Sequence, residues 1–342
     1  MFRVFATMDQ RMPLSAVADH AKRAEALGYD GLNVPEAVHD GLAAATIALG
    51  ATSQLRVATS VLVAFPRSPM TVAHAAYDLQ AFSGGRFELG LGSQVRGNIV
   101  GRYSTDWTPP VPRMREYVQS LRAIFACWQD GTPLAFEGEH YRFTRMQPFF
   151  NPGPSEHPEI PIHLGAVGPK MTALAGEVAD AMMCHPSNTA PRYLREVIRP
   201  RLSRGEKRAG RQEGSTQLMV GSFVATGRDA KATLASRDAA RQHLGFLYST
   251  PAYWPSLEMF GWREVGEKLH AMSREGRWAE MPGLLGEDML DAFVPTAPYG
   301  EIADLLRERY KELSDWITFP MPGDPSEDSE VAKVIRTLKG RD

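Results

Sequence analysis

Cysteine is scarce in this chain of 342 residues: there are two, Cys127 and Cys184, far apart and without the spacing of metal ligands. This argues against a disulfide framework or a thiolate metal centre, and two reduced thiols are typical of a cytoplasmic protein. The formal net charge of −2 argues against a general affinity for nucleic acid or anionic membranes. We therefore expect a cytoplasmic protein with no metal site and no nucleic-acid partner.

Long apolar runs are also lacking. None approaches the length of a membrane span, and the opening MFRVFATMDQ is typical of a strand rather than of a signal peptide. We expect no membrane association. Apolar residues nevertheless make up 43% of the sequence, which is enough for a sizeable core.

Strand-like and helix-like segments alternate along most of the chain. Ser68-Pro69, for example, predicts the start of a helix, because serine caps a first turn and proline fits its first position. Residues 113–129 predict another helix, with apolar side chains on one face. Eight segments predict strands: 2–7, 31–34, 55–64, 86–92, 160–166, 180–185, 218–225 and 315–320.

Two stretches interrupt this alternation. Residues 131–160 carry DGTP, EGEHYRF and several prolines, which predicts a hairpin excursion. Residues 245–290 predict helices laid over one end of the molecule. Their aromatic side chains, including Tyr248, Trp254 and Trp262, are expected to form a lid over an apolar substrate pocket.

Repeated strand–helix units predict a parallel sheet, because parallel strands need crossover connections. Eight units at this length favour a closed (β/α)8 TIM barrel over an open doubly wound sheet. An open sheet would carry a GxGxxG turn after its first strand, whereas this chain has Asp9-Gln10-Arg11-Met12. We therefore predict an α/β fold with a single barrel domain over residues 1–342 and a site at the C-terminal ends of its strands.

The loop after the fifth predicted strand reads LGAVGPK. Gly165 and Gly168 allow a ligand to approach the backbone closely, and Ala166 and Lys170 lie in the same loop. A helix begins there whose free N–H groups favour an anion. This predicts a cradle for a phosphate or another anionic cofactor group. The alternative is a glycine-rich turn with a solvated lysine.

Other polar residues follow other predicted strands. Gly92, in GLGSQVRGN, fits either the close approach of a planar ligand or a simple turn, and Asn98 offers a polar group just beyond the strand. Ionisable side chains at the C-terminal rim of a barrel are catalytic candidates, which here are Glu36, His39 and His185. Glu36 is alternatively a structural acceptor for a neighbouring N–H, and each histidine an ordinary loop residue.

Five segments, in this order and spacing, resemble the luciferase-like superfamily and most closely its coenzyme F420-dependent branch: AEALGYDGL, TSVLVAFPRSPMTVAHAAYDLQ, GGRFELGLGSQ, RMREYVQSLRAIFACWQDGTP and PIHLGAVGPKMTALAGEVADAM. The resemblance implies a deazaflavin across the mouth of the barrel, with its phosphate-bearing tail at residues 165–170. It also implies a non-prolyl cis peptide at Ser60–Val61 that supports one face of the ring. The family's acidic residue and asparagine fall on Glu36 and Asn98, and the family implies a homodimer.

Three departures limit the reaction. The glucose-6-phosphate dehydrogenases of this branch need a histidine, a glutamate and a lysine at positions that hold Ala37, Val95 and Asn188 here. The resemblance therefore implies a reaction other than sugar-phosphate oxidation. The leading hypothesis is hydride transfer between F420 and a small organic substrate, with Glu36 in hydrogen bonding and His39 or His185 in proton transfer.

Two alternatives remain open. The first is an FMN-dependent monooxygenase that receives reduced flavin from a partner reductase. The second is a flavin-binding protein on the same barrel without catalytic activity.

Overall fold

The barrel predicted from the sequence is present in the computed structural model, which describes residues 1–341. Its strands and those of a separate hairpin are β1 Arg3–Thr7, β2 Gly31–Val34, β3 Arg56–Thr59, β4 Leu62–Val63, β5 Phe87–Gly92, β6 Phe136–Glu137, β7 Arg142–Phe143, β8 Ile162–Ala166, β9 Ala181–Cys184, β10 Gln217–Val220 and β11 Trp316–Thr318. The hairpin pairs β6 with β7 and stands outside the barrel.

Parallel pairing closes the sheet into a ring. The order is β3-β2-β1-β11-β10-β9-β8-β5-β4, and β5 also pairs with β3. Because β3 and β4 are two halves of one predicted strand, the nine segments of this sheet amount to the eight strands of a (β/α)8 barrel. The fold prediction is therefore confirmed.

Helices cover the outside of the ring, and several begin at caps that the sequence contains. Asp40 accepts hydrogen bonds from the N–H groups of Leu42 and Ala43, and Ser68 accepts one from Met70. The helices are α1 Leu14–Ala26, α2 Gly41–Ala51, α3 Pro69–Phe82, α4 Arg96–Gly101, α5 Pro110–Asp130, α6 Pro169–Val178, α7 Pro191–Tyr193, α8 Arg199–Arg208, α9 Ala230–Tyr248, α10 Trp254–Met259, α11 Arg263–Arg274, α12 Glu287–Phe293, α13 Tyr299–Tyr310 and α14 Asp328–Leu338. No helix in residues 1–341 is both long and apolar enough to cross a membrane.

Two helical features are not among the predictions from the sequence. The first is a π-helical segment, Leu194–Ile198, which lies between α7 and α8. Pro200 follows it and has no N–H to donate, so the wider turn accommodates a helix that proline would otherwise break. The C-terminal helix α14 was not predicted. Its buried face packs chiefly against α13, whose apolar side chains include Ile302 and Leu306.

The lumen of the barrel is filled in layers. Ionic side chains, among them Arg3 and Glu88, close the floor at the N-terminal ends of the strands. Above them lies a small apolar cluster, distinct from the larger core between strands and helices, made of Phe5, Ala58, Met183, Met219 and Trp316. Above this plug, at the C-terminal ends of the strands, lies the open space in which such barrels carry their sites.

Candidate active site at the mouth of the barrel

The C-terminal ends of six strand segments surround a cavity of about 710 Å3, which we call the mouth cavity. Its floor and walls combine thioether and aromatic side chains with a few polar ones. The lining residues contributed by strands and the turns directly after them include Thr7, Asn33, Ser60, Met183, Cys184, Pro186, Met219, Gly221, Phe223, Thr318 and Phe319. Met12, His20 and Met321 extend the lining toward α1 and the segment after β11.

A cis peptide bond between Ser60 and Val61 separates β3 from β4, as the resemblance implied. It turns the Val61 side chain into the barrel, where it packs against the apolar cluster of the lumen. A Cβ atom at Gly92 would collide with Val61, and one at Gly165 would lie 3.0 Å from it. The two glycines therefore make room for Val61, a physical reason for them that the sequence did not indicate.

Glu36 lies on the outer side of this bulge and is fully engaged. One carboxylate oxygen accepts hydrogen bonds from the backbone N–H of Val63 at 2.6 Å and from Arg67 at 3.0 Å, and the other accepts from Arg67 at 2.5 Å. Arg67 also binds Asp40 at 2.7 Å. This geometry matches the alternative in which Glu36 is a structural acceptor. The carboxylate connects β4 to the loop after β2. A direct contact of Glu36 with cofactor remains a prediction.

His185 is held from two sides directly after β9. Its Nδ1 atom accepts a hydrogen bond from the backbone N–H of Ser187 at 3.3 Å and lies 2.8 Å from the Ser187 hydroxyl. The ring stacks on Tyr253, with centroids 4.3 Å apart and planes 15° apart. Burial lowers the pKa of His185 to about 4. The imidazole is therefore neutral near pH 7, with its proton on Nε2.

The other candidates lie around the same rim. His39 is half-buried in the loop after β2, and its side chain forms no hydrogen bond with residues 1–341. Asn98 is half-buried on α4. Gly168 caps α6 without a side-chain hydrogen bond, and Lys170 is exposed beside it. Of all the predicted site residues in the described part of the chain, the structure brings Ser60 alone into the lining of the mouth cavity.

The family model for luciferase-like monooxygenase matches residues 1–315. This chain belongs to the luciferase-like family. An uncharacterized protein of Mycobacterium tuberculosis is 43% identical over 302 residues, which cover 88% of each chain. A putative coenzyme F420-dependent oxidoreductase of the same organism is 28% identical over 70% of this chain and 71% of its own. The coenzyme F420-dependent tetrahydromethanopterin reductase of Methanopyrus kandleri shares the fold, with a TM-score of 0.80 at 19% identity over 99% of both chains.

Residues 245–290 of this luciferase-like chain, which we call the insertion, contact the rim in a way that differs from the lid predicted from the sequence. Tyr248 is fully buried and donates a hydrogen bond to the carbonyl of Ser187 at 3.0 Å, and Trp254 donates to the carbonyl of Tyr248 at 2.8 Å. Trp262 stacks on Phe260 within the insertion and also packs against Phe293 of α12. Within residues 1–341, these three predicted aromatic residues do not line the mouth cavity, so their expected role as pocket walls is corrected. They anchor the insertion instead.

Sequence reasoning missed most of the residues that do line the mouth cavity. In the sequence, the methionines and aromatic residues that line the cavity have the pattern of ordinary core residues, and Asn33 lies within a short apolar strand. Side chains alternate along a strand, and Gly31 faces the lumen against Phe5. That alternation places Asn33 on the lumen face as well, and this signal was available before the structure.

The residues present fit a planar cofactor with a phosphate-bearing tail. The mouth cavity offers a largely apolar space, and Asn33 Oδ1 is buried there without a hydrogen-bond partner among the described residues. The N-terminus of α6 and Lys170 lie on the same rim, because β8 sits between β5 and β9. No group of three or more His, Cys, Asp or Glu side chains within residues 1–341 is placed to hold a metal ion.

Proposed function

We propose that this luciferase-like protein is an oxidoreductase that transfers a hydride between coenzyme F420 and a small organic substrate other than a sugar phosphate. The mouth cavity carries the proposal, because it couples about 710 Å3 of largely apolar space to the bulge at Ser60–Val61. The similarity to proteins described as coenzyme F420-dependent, from Mycobacterium tuberculosis and Methanopyrus kandleri, supports F420 as the cofactor.

The charges around the mouth cavity favour an uncharged substrate. Arg23 is the cation in its lining, and it is held by Asp328 at 2.5 Å and by the carbonyl of Pro322 at 2.9 Å. Asp9 accepts a hydrogen bond from the N–H of Arg11 at 2.7 Å. Arg23 is therefore already paired and contributes little to the binding of an anionic ligand, and the Asp9 carboxylate would repel one.

The positions that would serve a sugar phosphate support the same conclusion. Asn188 is buried and its side chain bonds to the carbonyl of Val167 at 3.4 Å, while the side chain of Val95 is exposed on the rim. Asn188 cannot supply the positive charge that a phosphate requires, and Val95 cannot supply the acid–base group that a glutamate would provide.

When bound, the cofactor supplies or accepts the hydride, and the protein provides position and environment. His185 lies on the rim between the lining residues Cys184 and Pro186, and it would present Nε2–H to a substrate that extends there, because Nδ1 is already occupied by Ser187. Met183, Met219 and Phe319 would exclude water from the reacting carbon. The insertion fixes the turn after β9 through its bonds to the carbonyl of Ser187.

A titration of the purified protein tests the proposal. F420 and FMN, each oxidised and reduced, are added while cofactor fluorescence is followed. We expect saturable binding of F420 and much weaker binding of FMN. Exclusive binding of FMN would contradict the proposal. In that case oxygen consumption with reduced FMN and a candidate substrate would identify a monooxygenase, and tight binding without turnover across a substrate panel would identify a non-catalytic flavin-binding protein.

A further inference from the structure

Asn33 is the most unusual polar residue of the mouth cavity. It stands in β2 in register with Thr7 of β1 and Ala58 of β3. Its side chain is 1% exposed and lines the floor of the cavity. Oδ1 has no hydrogen-bond partner within residues 1–341, and Nδ2 has a weak contact with the Met219 sulfur at 3.7 Å.

An amide left in this state costs stability, because a buried polar group loses its water without replacement. Thr59, on the neighbouring strand β3, is also buried but fully paired. Its hydroxyl donates to the carbonyl of Gly90 at 2.8 Å and accepts from the N–H of Gly90 at 2.9 Å. The fold can therefore satisfy a polar side chain in this part of the barrel, and at Asn33 it does not.

The chemistry of the amide defines what would satisfy it. A carboxamide presents an acceptor and a donor side by side, and a thioether is only a weak acceptor. A single partner that meets both atoms must carry a donor next to an acceptor. A cyclic amide has this arrangement, with N–H beside C=O, whereas a ketone offers an acceptor only. Flavins and deazaflavins both carry such an edge on their pyrimidinedione ring.

We propose that Asn33 is a ligand-binding residue that recognises the cyclic-amide edge of the ring cofactor from the floor of the mouth cavity. The inference rests on the proposed function, in that a flavin-type ring is the ligand. It adds a residue that forms hydrogen bonds with the ring of the cofactor, so its contribution to binding does not depend on the cofactor's tail.

The first test uses the free protein. Asn33→Leu replaces the amide with an apolar group of similar shape, so we expect the melting temperature to rise by about 1–3 °C. The matched control is Thr59→Val, which should lower the melting temperature because it removes both hydrogen bonds between the Thr59 hydroxyl and the backbone of Gly90. A fall in the melting temperature of Asn33→Leu would show a structural amide and overturn the proposal.

The second test uses lumiflavin, which has the ring without a phosphate tail, and 3-methyllumiflavin, in which a methyl group replaces the ring N–H. Wild-type protein should bind lumiflavin about fivefold more tightly than the methylated analogue, the value of one neutral hydrogen bond. Asn33→Leu should bind both equally. Wild-type protein that binds the two analogues equally, or binds neither, would overturn the proposal.

These outcomes are distinct from those of the proposed function. If F420 fails to bind while lumiflavin is still preferred over its methylated form, the choice of F420 is wrong and the role of Asn33 stands. If F420 binds and lumiflavin is not preferred, the proposed function stands and the role of Asn33 is wrong.

Discussion

His185 illustrates how single residues acquire their properties from neighbours far away in the chain. Ser187 occupies Nδ1, and Tyr253 from the insertion covers the face of the ring. Burial lowers the pKa of His185 to about 4, well below the ordinary value of 6.5. A neutral imidazole at pH 7 can donate a hydrogen bond through Nε2–H but does not carry a spare proton.

Nuclear magnetic resonance titration of His185 tests this state. In the wild-type protein we expect the pKa of His185 to be about 4, with the proton of the neutral ring on Nε2. Tyr253→Ala should raise this pKa toward its ordinary value, because it admits water to the ring. Tyr253→Phe keeps the stacked ring and serves as the control, with the pKa of His185 little changed. A wild-type pKa near 6.5 would show that the ring is solvated.

At the scale of elements, α6 and α8 approach each other so closely that their backbones touch. A Cβ atom at Gly176 would collide with the carbonyl of Leu202, and one at Gly205 with the carbonyl of Ala173. Backbone atoms cannot move aside as a flexible side chain can, so both positions require glycine. The contact matters for the site, because α6 begins at Gly168 on the rim.

Gly205→Ala should therefore lower the free energy of unfolding by about 1–3 kcal/mol, as overpacking does. Chemical denaturation measures this change. Gly300→Ala is the matched control, since Gly300 is also helical and nothing lies within 4 Å of its added Cβ. There the free energy of unfolding should stay the same or rise by up to ~0.5 kcal/mol. Equal effects of the two substitutions would show that the helices are not in backbone contact.

At the scale of the whole molecule, the floor of the barrel concentrates buried charge. Glu88 binds Arg3 at 2.8 Å and also pairs with Arg56, and its second oxygen lies 3.9 Å from His163. The pKa of Glu88 lies below its ordinary value although burial opposes this, and Arg3 and Arg56 are the neighbours whose charge persists at neutral pH. Burial lowers the pKa of His163, which is completely enclosed. The N-terminal end of the barrel is therefore closed by side chains whose charges and ion pairs change at low pH.

The sign of the resulting pH dependence follows from His163. Below about pH 6.5 the unfolded chain binds a proton at this histidine while the folded chain does not, so stability is present above that pH and is lost as pH falls. Glu88 acts in the same direction at lower pH, because protonation removes its ion pairs. We expect the free energy of unfolding to be smaller at pH 5.5 than at pH 7.5. In His163→Gln this difference should shrink by about 1 kcal/mol. An unchanged difference would mean that His163 binds its proton over the same pH range in the folded protein as in the unfolded chain.

The sequence by itself determined the repeating architecture. Alternating strands and helices, caps such as Ser68-Pro69 and the absence of a GxGxxG turn specify a parallel barrel from local patterns, and the predicted strands match the ring in order. Local signals suffice there because strand periodicity and helix caps act over a few neighbouring residues. The resemblance to the luciferase-like family likewise placed the cis bond at Ser60–Val61.

The tertiary structure alone decided which of the rim residues face the mouth cavity. Glu36 and His185 both follow the end of a strand in the sequence. In the structure, Arg67 and Val63 bind the Glu36 carboxylate. Ser187 and Tyr253 enclose the His185 ring. Those partners lie up to 68 residues away in the chain, beyond the reach of a local pattern. Asn33 shows the converse: its position in β2 was predictable, but its lack of a partner depends on every side chain that fills the lumen.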